Sequence, residues 1–431
     1  MRKTLAVSLL LCCLLWGSAV MAGDSWSLIS AQDNPSVLDV IKFYDVHFMD
    51  MTTGIAVGSN GLYGAGIFKT ADGGVTWEVK HQLAMFQMLE GLSFADENNG
   101  WAVGYHGTNK KTNFILHTTD GGETWEAQTS GVEVGLRGVH FIDANTGWAV
   151  GNGATIIHTT DGGATWTQQT CEVDIGFFNV YFADALHGWA CGSGVVSTDD
   201  GGETWVDRGS HSAMFWGIHF TDASNGWIVG GGGEMHQTSD GGVTWTNMSI
   251  DIFEDFKAVY FTDTSTGWAA GGRSGGNKGI VYQTVDGGTS WVKQEIGTEL
   301  DFEGMFFLNS AVGWAVGNYG AVLQTLDGGG TGVEDAVTPA QFELAQNSPN
   351  PFNPTTTISY YIPGHAHVTL DVFDVNGRYV KTLVNTHMSG GAHEAVWNGT
   401  DVNGKAVSSG LYMYRLRTGE TSISRKMLLV R

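Results

Sequence analysis

The 431-residue sequence predicts an all-β protein: a seven-bladed β-propeller followed by a small immunoglobulin-like β-sandwich. Three observations predict it. A phrase of aspartate, two glycines, a variable residue and Thr-Trp recurs at a spacing of roughly 40–50 residues, the period of a propeller blade. A second phrase, Gly-Trp-Ala-Val-Gly and its variants, keeps step with the first. Beyond residue 340 this repetition stops, and a proline-marked opening leads into strands of alternating polarity.

The first 22 residues carry Arg2 and Lys3, an apolar run from 5 to 16 and the small-residue pattern Val20-Met21-Ala22. They are expected to be a secretory signal peptide. Cys12 and Cys13 fall inside it, which leaves Cys171 and Cys191 in the mature chain. Two cysteines make neither a disulfide framework nor a structural zinc site, so they read as packing residues first and a disulfide second. No other apolar stretch approaches membrane-span length, so no transmembrane span is expected in the mature chain. The net charge is -23; the last 93 residues carry +2, which leaves -25 on everything before them. So acidic a body argues against nucleic-acid partners, whose phosphates require Lys and Arg. No cofactor or metal is implied.

Each repeat can be laid on four strands. The first ends in an alternating Val-x-Phe pattern, as in Val46-His47-Phe48, Val139-His140-Phe141 and Ile218-His219-Phe220. An Asp/Asn-rich turn leads to the Gly-Trp-Ala-Val-Gly strand, a short third strand follows, and the Asp-Gly-Gly turn hands over to the Thr-Trp strand. The turn aspartates are Asp72, Asp120, Asp161, Asp200, Asp240, Asp286 and Asp327. An Asx side chain bonds the backbone just ahead of it and glycine takes the positive φ of a tight turn, so these residues are expected to be structural. One such turn per blade spreads the carboxylates around a ring instead of gathering them for metal or acid–base chemistry. The seventh copy breaks off after Gly329 without its tryptophan, while Ser25-Trp26-Ser27-Leu28-Ile29 has the look of the missing strand. The N-terminal strand is therefore expected to complete blade seven, since a closed ring leaves no open blade edge. The propeller is placed at 23–327, a glycine-rich linker at 328–340 and the C-terminal domain at 341–431.

These phrases carry resemblances. The Asp-x-Gly-x-Thr-Trp hairpin resembles the Asp-box of sialidases and xyloglucan-type endoglucanases. Combined with Gly-Trp-Ala-Val-Gly, it is more similar to the photosystem II assembly and stability factor family of seven-bladed propellers, over residues 25 to about 330. The opening Asn-Ser-Pro-Asn-Pro-Phe-Asn-Pro from 347, the strand at Gly410-Leu411-Tyr412 and the basic ending from Lys426 resemble the C-terminal sorting domain of type IX secretion substrates. The stretch from 372 to 378 resembles the immunoglobulin-like fold of the flagellar hook-capping protein. The resemblance implies a secreted or cell-surface protein that meets the secretion machinery through its C-terminal domain.

Catalytic signals are sparse. The mature propeller has only Arg137, Arg208 and Arg273 as arginines, at three different repeat positions, and so lacks the arginine cluster that the sialidase resemblance would require. His47, His140 and His219 occupy equivalent strand sites and are expected to pack. A secreted glycoside hydrolase using two propeller carboxylates stays open as the alternative. The favoured expectation is a non-enzymatic binding platform for a protein or carbohydrate partner outside the cytoplasm. Four residues before each aligned phenylalanine stand Tyr44, Glu90, Arg137, Phe178, Trp216, Lys257 and Glu303. The repeats nearly copy one another elsewhere but differ here, and diversity at a channel mouth on a rigid scaffold is where recognition is expected. The loops at 59–65, 105–113 and 273–278 are longer than their counterparts and come from repeats one, two and six. They are expected to form a wall along one side of that face, where Tyr63, Tyr105, Lys110, Lys111 and Arg273 add aromatic and cationic groups. A partner is then expected between this wall and Tyr44, Glu90 and Arg137.

Overall fold

The structure, a computed structural model, describes residues 26–29, 42–59, 64–107, 109–209, 214–273, 276–329, 342–362, 366–375, 377–388, 391–419 and 421–431. The expected signal peptide, most of the linker, Tyr63 and the side chains of Lys110 and Lys111 lie outside the described residues. The described residues of the N-terminal part form seven four-stranded antiparallel sheets. In six of them the strands follow one another in sequence from the inside out; blade 1, for example, runs Lys42–Phe48, Gly54–Ser59, Ala65–Thr70 and Glu78–Gln82. Blade 7 takes Phe302–Phe307, Gly313–Gly317 and Val322–Thr325 from one end of the ring and Ser27–Leu28 from the other. Ser27 pairs with Gln324 and Leu28 with Leu323, and Ile29 N–H donates to the Val322 carbonyl at 2.6 Å. Trp26 is buried and meets the Phe307 ring edge-on at 5.9 Å.

The core lies between blades, and both repeated phrases build it. In six of the blades the tryptophan of the second strand stacks on the aligned phenylalanine of the next blade: Trp101 on Phe141 and Trp148 on Phe182 at 3.5 Å, and across the closure Trp314 on Phe48 at 3.7 Å. Its indole N–H donates to a glycine carbonyl in the next blade's Asp-Gly-Gly turn, as Trp101 does to Gly162 and Trp314 to Gly73. Blade 1 has Ile55 where the other blades have tryptophan, and there Lys69 Nζ reaches the equivalent carbonyl of Gly121 at 2.9 Å. An unpaired buried carbonyl would be costly, so a longer side chain from the neighbouring strand fills the role.

The Asp-Gly-Gly turns use their aspartates internally. Asp72 accepts bonds from Thr76 N–H, Thr76 Oγ1 and Thr70 Oγ1 at 2.6–2.8 Å, while Gly73 and Gly74 take φ of 77° and 101°. The same three bonds recur at Asp120, Asp161, Asp200, Asp240 and, with Ser290 for threonine, Asp286. Hydrogen bonds from Thr124 and Thr204 hold the carboxyls of Asp120 and Asp200 down at about 2. Asp327, whose repeat breaks off, keeps the bond from Thr325 and takes one from Gly329 N–H.

The C-terminal domain is a two-sheet sandwich. Glu343–Leu344, Thr356–Ile362 and Gly391–Trp397 form one sheet; Tyr379–Met388, Ala366–Asp374, Gly410–Thr418 and Thr421–Leu429 form the other. Trp397, Tyr414, Phe352 and Leu429 lie in its single core. The asparagine-proline opening is tied in by Asn347, whose Nδ2 donates to Pro349 O and Thr356 Oγ1, and by Tyr414, whose hydroxyl donates to Ala345 O. Cys171 and Cys191 are both free thiols, the second buried. Among the described residues no helix is long and apolar enough to cross a membrane.

Candidate functional site: the channel mouth

Every inner strand breaks its pairing register once, at the same place. The shifts fall between Phe43 and Asp45, Leu89 and Gly91, Leu136 and Gly138, Phe177 and Asn179, Phe215 and Gly217, Phe256 and Ala258, and Phe302 and Gly304. The skipped residues are Tyr44, Glu90, Arg137, Phe178, Trp216, Lys257 and Glu303, the seven variable positions. A β-bulge opposes two residues to one and so reverses the alternation beyond it. In blade 1 it sends Phe43 into the fully buried core and leaves Tyr44 beside Asp45 on the channel side. The signal was in the sequence: apolar residues spaced three and then two apart, as in Phe43-Val46-Phe48 and Leu136-Val139-Phe141, break a strict period of two.

All seven bulged residues line one cavity of about 440 Å³ on the axis of the ring. Below them lies a tier of Asp45, Gly91, Gly138, Asn179, Gly217, Ala258 and Gly304. Here neighbouring inner strands nearly touch: a Cβ on Gly91 would come within 2.7 Å of the Arg137 carbonyl, and one on Gly304 within 2.7 Å of the Tyr44 carbonyl. Where a polar side chain is present, it bridges blades. Asp45 accepts bonds from Val46 N–H and, on the next blade, Leu92 N–H, both at 2.9 Å. Burial pushes its carboxyl up to about 7 despite those two bonds. Asn179 accepts from Val180 N–H and donates to Trp216 O at 3.5 Å.

The third tier is His47, Ser93, His140, Tyr181, His219, Tyr260 and Phe306. Ring centroids lie 4.5 Å apart for His47–Phe306 and His219–Tyr260, and 4.6 Å for His140–Tyr181. Burial pulls His47 and His140 down to about 4 and His219 to about 3, so all three are neutral at physiological pH. Phe182 N–H donates to His140 Nδ1, which places that ring's proton on Nε2. These histidines pack and bridge.

The mouth itself is a set of paired charges laid on aromatic rings. Arg137 bonds Glu90 at 2.7 Å and lies over both Phe178 and Tyr105, with centroids 5.1 and 4.8 Å away. Lys257 Nζ sits 3.3 Å above Trp216 and 3.8 Å from Asp255, and burial draws its ammonium pKa down. Lys42 pairs with Glu303 at 2.8 Å and lies over Tyr44. Burial is the largest single influence and opposes the Lys42 charge, but Glu303, Tyr44 and Glu90 together outweigh it, and its pKa rises. Sequence reasoning missed Lys42 and Asp255, which stand just before the bulge and had no repeat pattern to flag them.

The long loops are hairpin extensions. In blade 2 the strands Gly100–His106 and Asn109–Thr118 run past the ring, and Met88 and Gln87 of the inner strand extend to pair with Tyr105 and His106. Blade 6 does the same through Gly267–Arg273 and Gly276–Thr284, with Arg273 exposed at the tip. Tyr105 is placed differently from the expectation of an available wall aromatic. It is buried, and its hydroxyl donates to Glu90 Oε1 at 2.8 Å, so it orients a mouth residue from behind.

Fold and site together define an Asp-box propeller with an immunoglobulin-like domain at its C-terminal end. The chain belongs to the family described as Photosynthesis system II assembly factor YCF48, whose model matches residues 20–132, 80–176 and 210–329. A second model, FlgD Ig-like domain, matches residues 347–421. No curated protein matches the chain. Among solved structures, one described as YCF48 bound to D1 peptide is 21% identical, with a TM-score of 0.56, over 70% of this chain and 97% of that one. YCF48 from Cyanidioschyzon merolae is 20% identical, with a TM-score of 0.53, over 70% and 98%. The GH74 enzyme of Niastella koreensis is 14% identical, with a TM-score of 0.55, over 90% of this chain and 72% of that one. At these identities the likeness is one of fold.

Proposed function

We propose that the protein is a non-enzymatic binding propeller, exported from the cell, that takes a segment of a partner protein at its channel mouth. One observation carries this reading: seven side chains of six kinds, each turned inward by its own bulge, converge over a single cavity while the rest of the ring repeats. A rigid rim with varied chemistry is a recognition surface. That YCF48 has been solved with a peptide supports a protein partner over a glycan. In this reading the C-terminal sandwich is the address that delivers the propeller to the outer surface. A chain stopped at residue 335 would then accumulate in the periplasm of a type IX secretion host.

The fold likeness to GH74 enzymes raises the hydrolase reading. Asp45, with its carboxyl near 7, has the pKa of a general acid. Both its oxygens are occupied by backbone N–H groups, and Glu90 and Glu303 are each held by a cation, which favours binding. The test is a peptide array and a xyloglucan oligosaccharide panel probed with the mature protein and with Trp216→Ala. Peptide binding lost in the variant at unchanged melting temperature supports the proposal. Release of reducing sugar from xyloglucan replaces it with the hydrolase, and contacts confined to the Asp-box face overturn it.

A further inference from the structure

The connectors that lead from each outermost strand to the next inner strand, together with the turns that join second to third strands, surround the mouth, and they hold an unusual set of side chains. Phe253, before the blade 6 inner strand, is 87% exposed; Phe86, before that of blade 2, is 44% exposed; Tyr319, in the turn Asn318–Gly320 of blade 7, is 49% exposed. Met85 and Met214 are exposed on the same connectors. Among the described residues the exposed large side chains near the opposite face are mostly aliphatic, such as Val75, Leu186, Val243 and Val285, and none is aromatic.

Two of these rim aromatics sit on left-handed backbone. Phe86 has φ of 63° and Tyr319 of 57°; Ala154 is the third non-glycine residue with positive φ among those described. Blade 5 makes the same three-residue turn with Gly232 at φ 65°, where the conformation carries no steric penalty. Tyr319 therefore bears a strain that glycine would avoid, and its ring stays half exposed. Phe86 is fixed in its conformation by Gly107 N–H of the blade 2 hairpin, which donates to its carbonyl at 2.6 Å. Strain held at an exposed side chain points to a role met outside the free molecule.

The charge around these rings selects the partner. The connectors on this face carry Glu133, Glu172 and Asp174, none in an ion pair among the described residues, and Glu254, whose one ion-pair partner among them is Lys278 at 3.9 Å. The carboxylates of the Asp-box turns, by contrast, are spent on their own loops. Inside the rim, the mouth cations are already paired with Glu90, Glu303 and Asp255.

We propose that this rim is the docking surface for an extended, basic protein segment whose apolar side chains cover Phe86, Phe253 and Tyr319, while its cations meet the connector carboxylates. The proposal rests on the binding reading above and names the chemistry of its partner. The test uses the full mature chain and three synthetic twelve-residue peptides, in which Leu and Phe alternate with Arg, with Glu or with Ser. The arginine peptide is expected to bind best and to weaken as salt is raised, because exposed charges are screened. Phe253→Ala and Tyr319→Gly are each expected to weaken it at least about tenfold, as truncation of a buried anchor does. Tyr319→Gly should melt no lower than the parent, since glycine accepts the backbone; a residue that merely holds the turn would lower it. Preference for the glutamate or serine peptide, or unchanged affinity in both rim variants, overturns the proposal. If Trp216→Ala abolishes binding while the rim variants do not, the mouth reading stands and the rim falls. If none of the three peptides binds, the rim proposal falls, and the mouth reading is left to the array.

Discussion

Asp45→Asn separates a carboxylate's bridging role from its cost. Asp45 is the one ionisable side chain in the glycine-rich tier, and burial raises its pKa from 3.8 to about 7. The sign follows from proton linkage. Between those two values the folded chain keeps a proton that the unfolded chain has lost, so stability falls as pH rises through the window and levels off above it. Of that shift about two units lie above pH 5, so the part lost from about pH 5 to about pH 8 is worth about 3 kcal/mol. The channel wets one edge of the group, and relief of desolvation there leaves about 1.5 kcal/mol as a working lower figure. Asparagine does not titrate, and Asn179 shows how it fits the equivalent position of blade 4, accepting from the next residue and donating across to the next blade. The assay is urea denaturation of both proteins at the two pH values. His47, His140 and His219 work in the opposite direction: their lowered pKa values cost stability as pH falls below about 6.5, but they are common to both proteins and cancel in the difference. The variant should gain on the parent by about 1.5–3 kcal/mol between pH 5 and pH 8. A difference that stays constant, or moves the other way, refutes a buried carboxyl with a raised pKa.

Other outcomes are expected from the joints of the ring. Trp26→Ala should lower stability by about 3–5 kcal/mol in thermal or urea unfolding. Trp26→Phe should cost much less, because the indole nitrogen has no hydrogen-bond partner among the described residues. Lys69→Met removes the donor to Gly121 O and the pair with Glu123, and should cost about 1–2 kcal/mol by the same measurement. Asp72→Ala should cost about 1 kcal/mol through its turn bonds and leave partner affinity unchanged in titration calorimetry.

Much of the architecture was legible because it is written locally and seven times over. The Asp-Gly-Gly turn needs its glycines for positive φ and its aspartate for bonds to the next few residues, all within one hairpin, so the motif alone carries the turn. The truncated seventh repeat and the echo at Ser25-Trp26 likewise carried the strand order of blade 7, since a missing tryptophan strand and a spare one need only be matched. Alignment to the phenylalanines picked out the seven mouth positions. How those residues reach the mouth was settled in the assembled ring. A bulge is a one-residue slip between strands, and only the partner strand's hydrogen bonds reveal which residue is skipped. The pairing of Arg137 with Glu90 and of Lys42 with Glu303 joins residues from different blades, which no spacing within one repeat encodes. Tyr105, read from its loop as available to a partner, is instead turned inward onto Glu90 from within its own blade. The substitution of Lys69 for an absent tryptophan is of the same kind. Repetition fixes whatever can be satisfied within a blade; what lies between blades depends on ring closure, which brings together side chains that the chain itself keeps tens of residues apart.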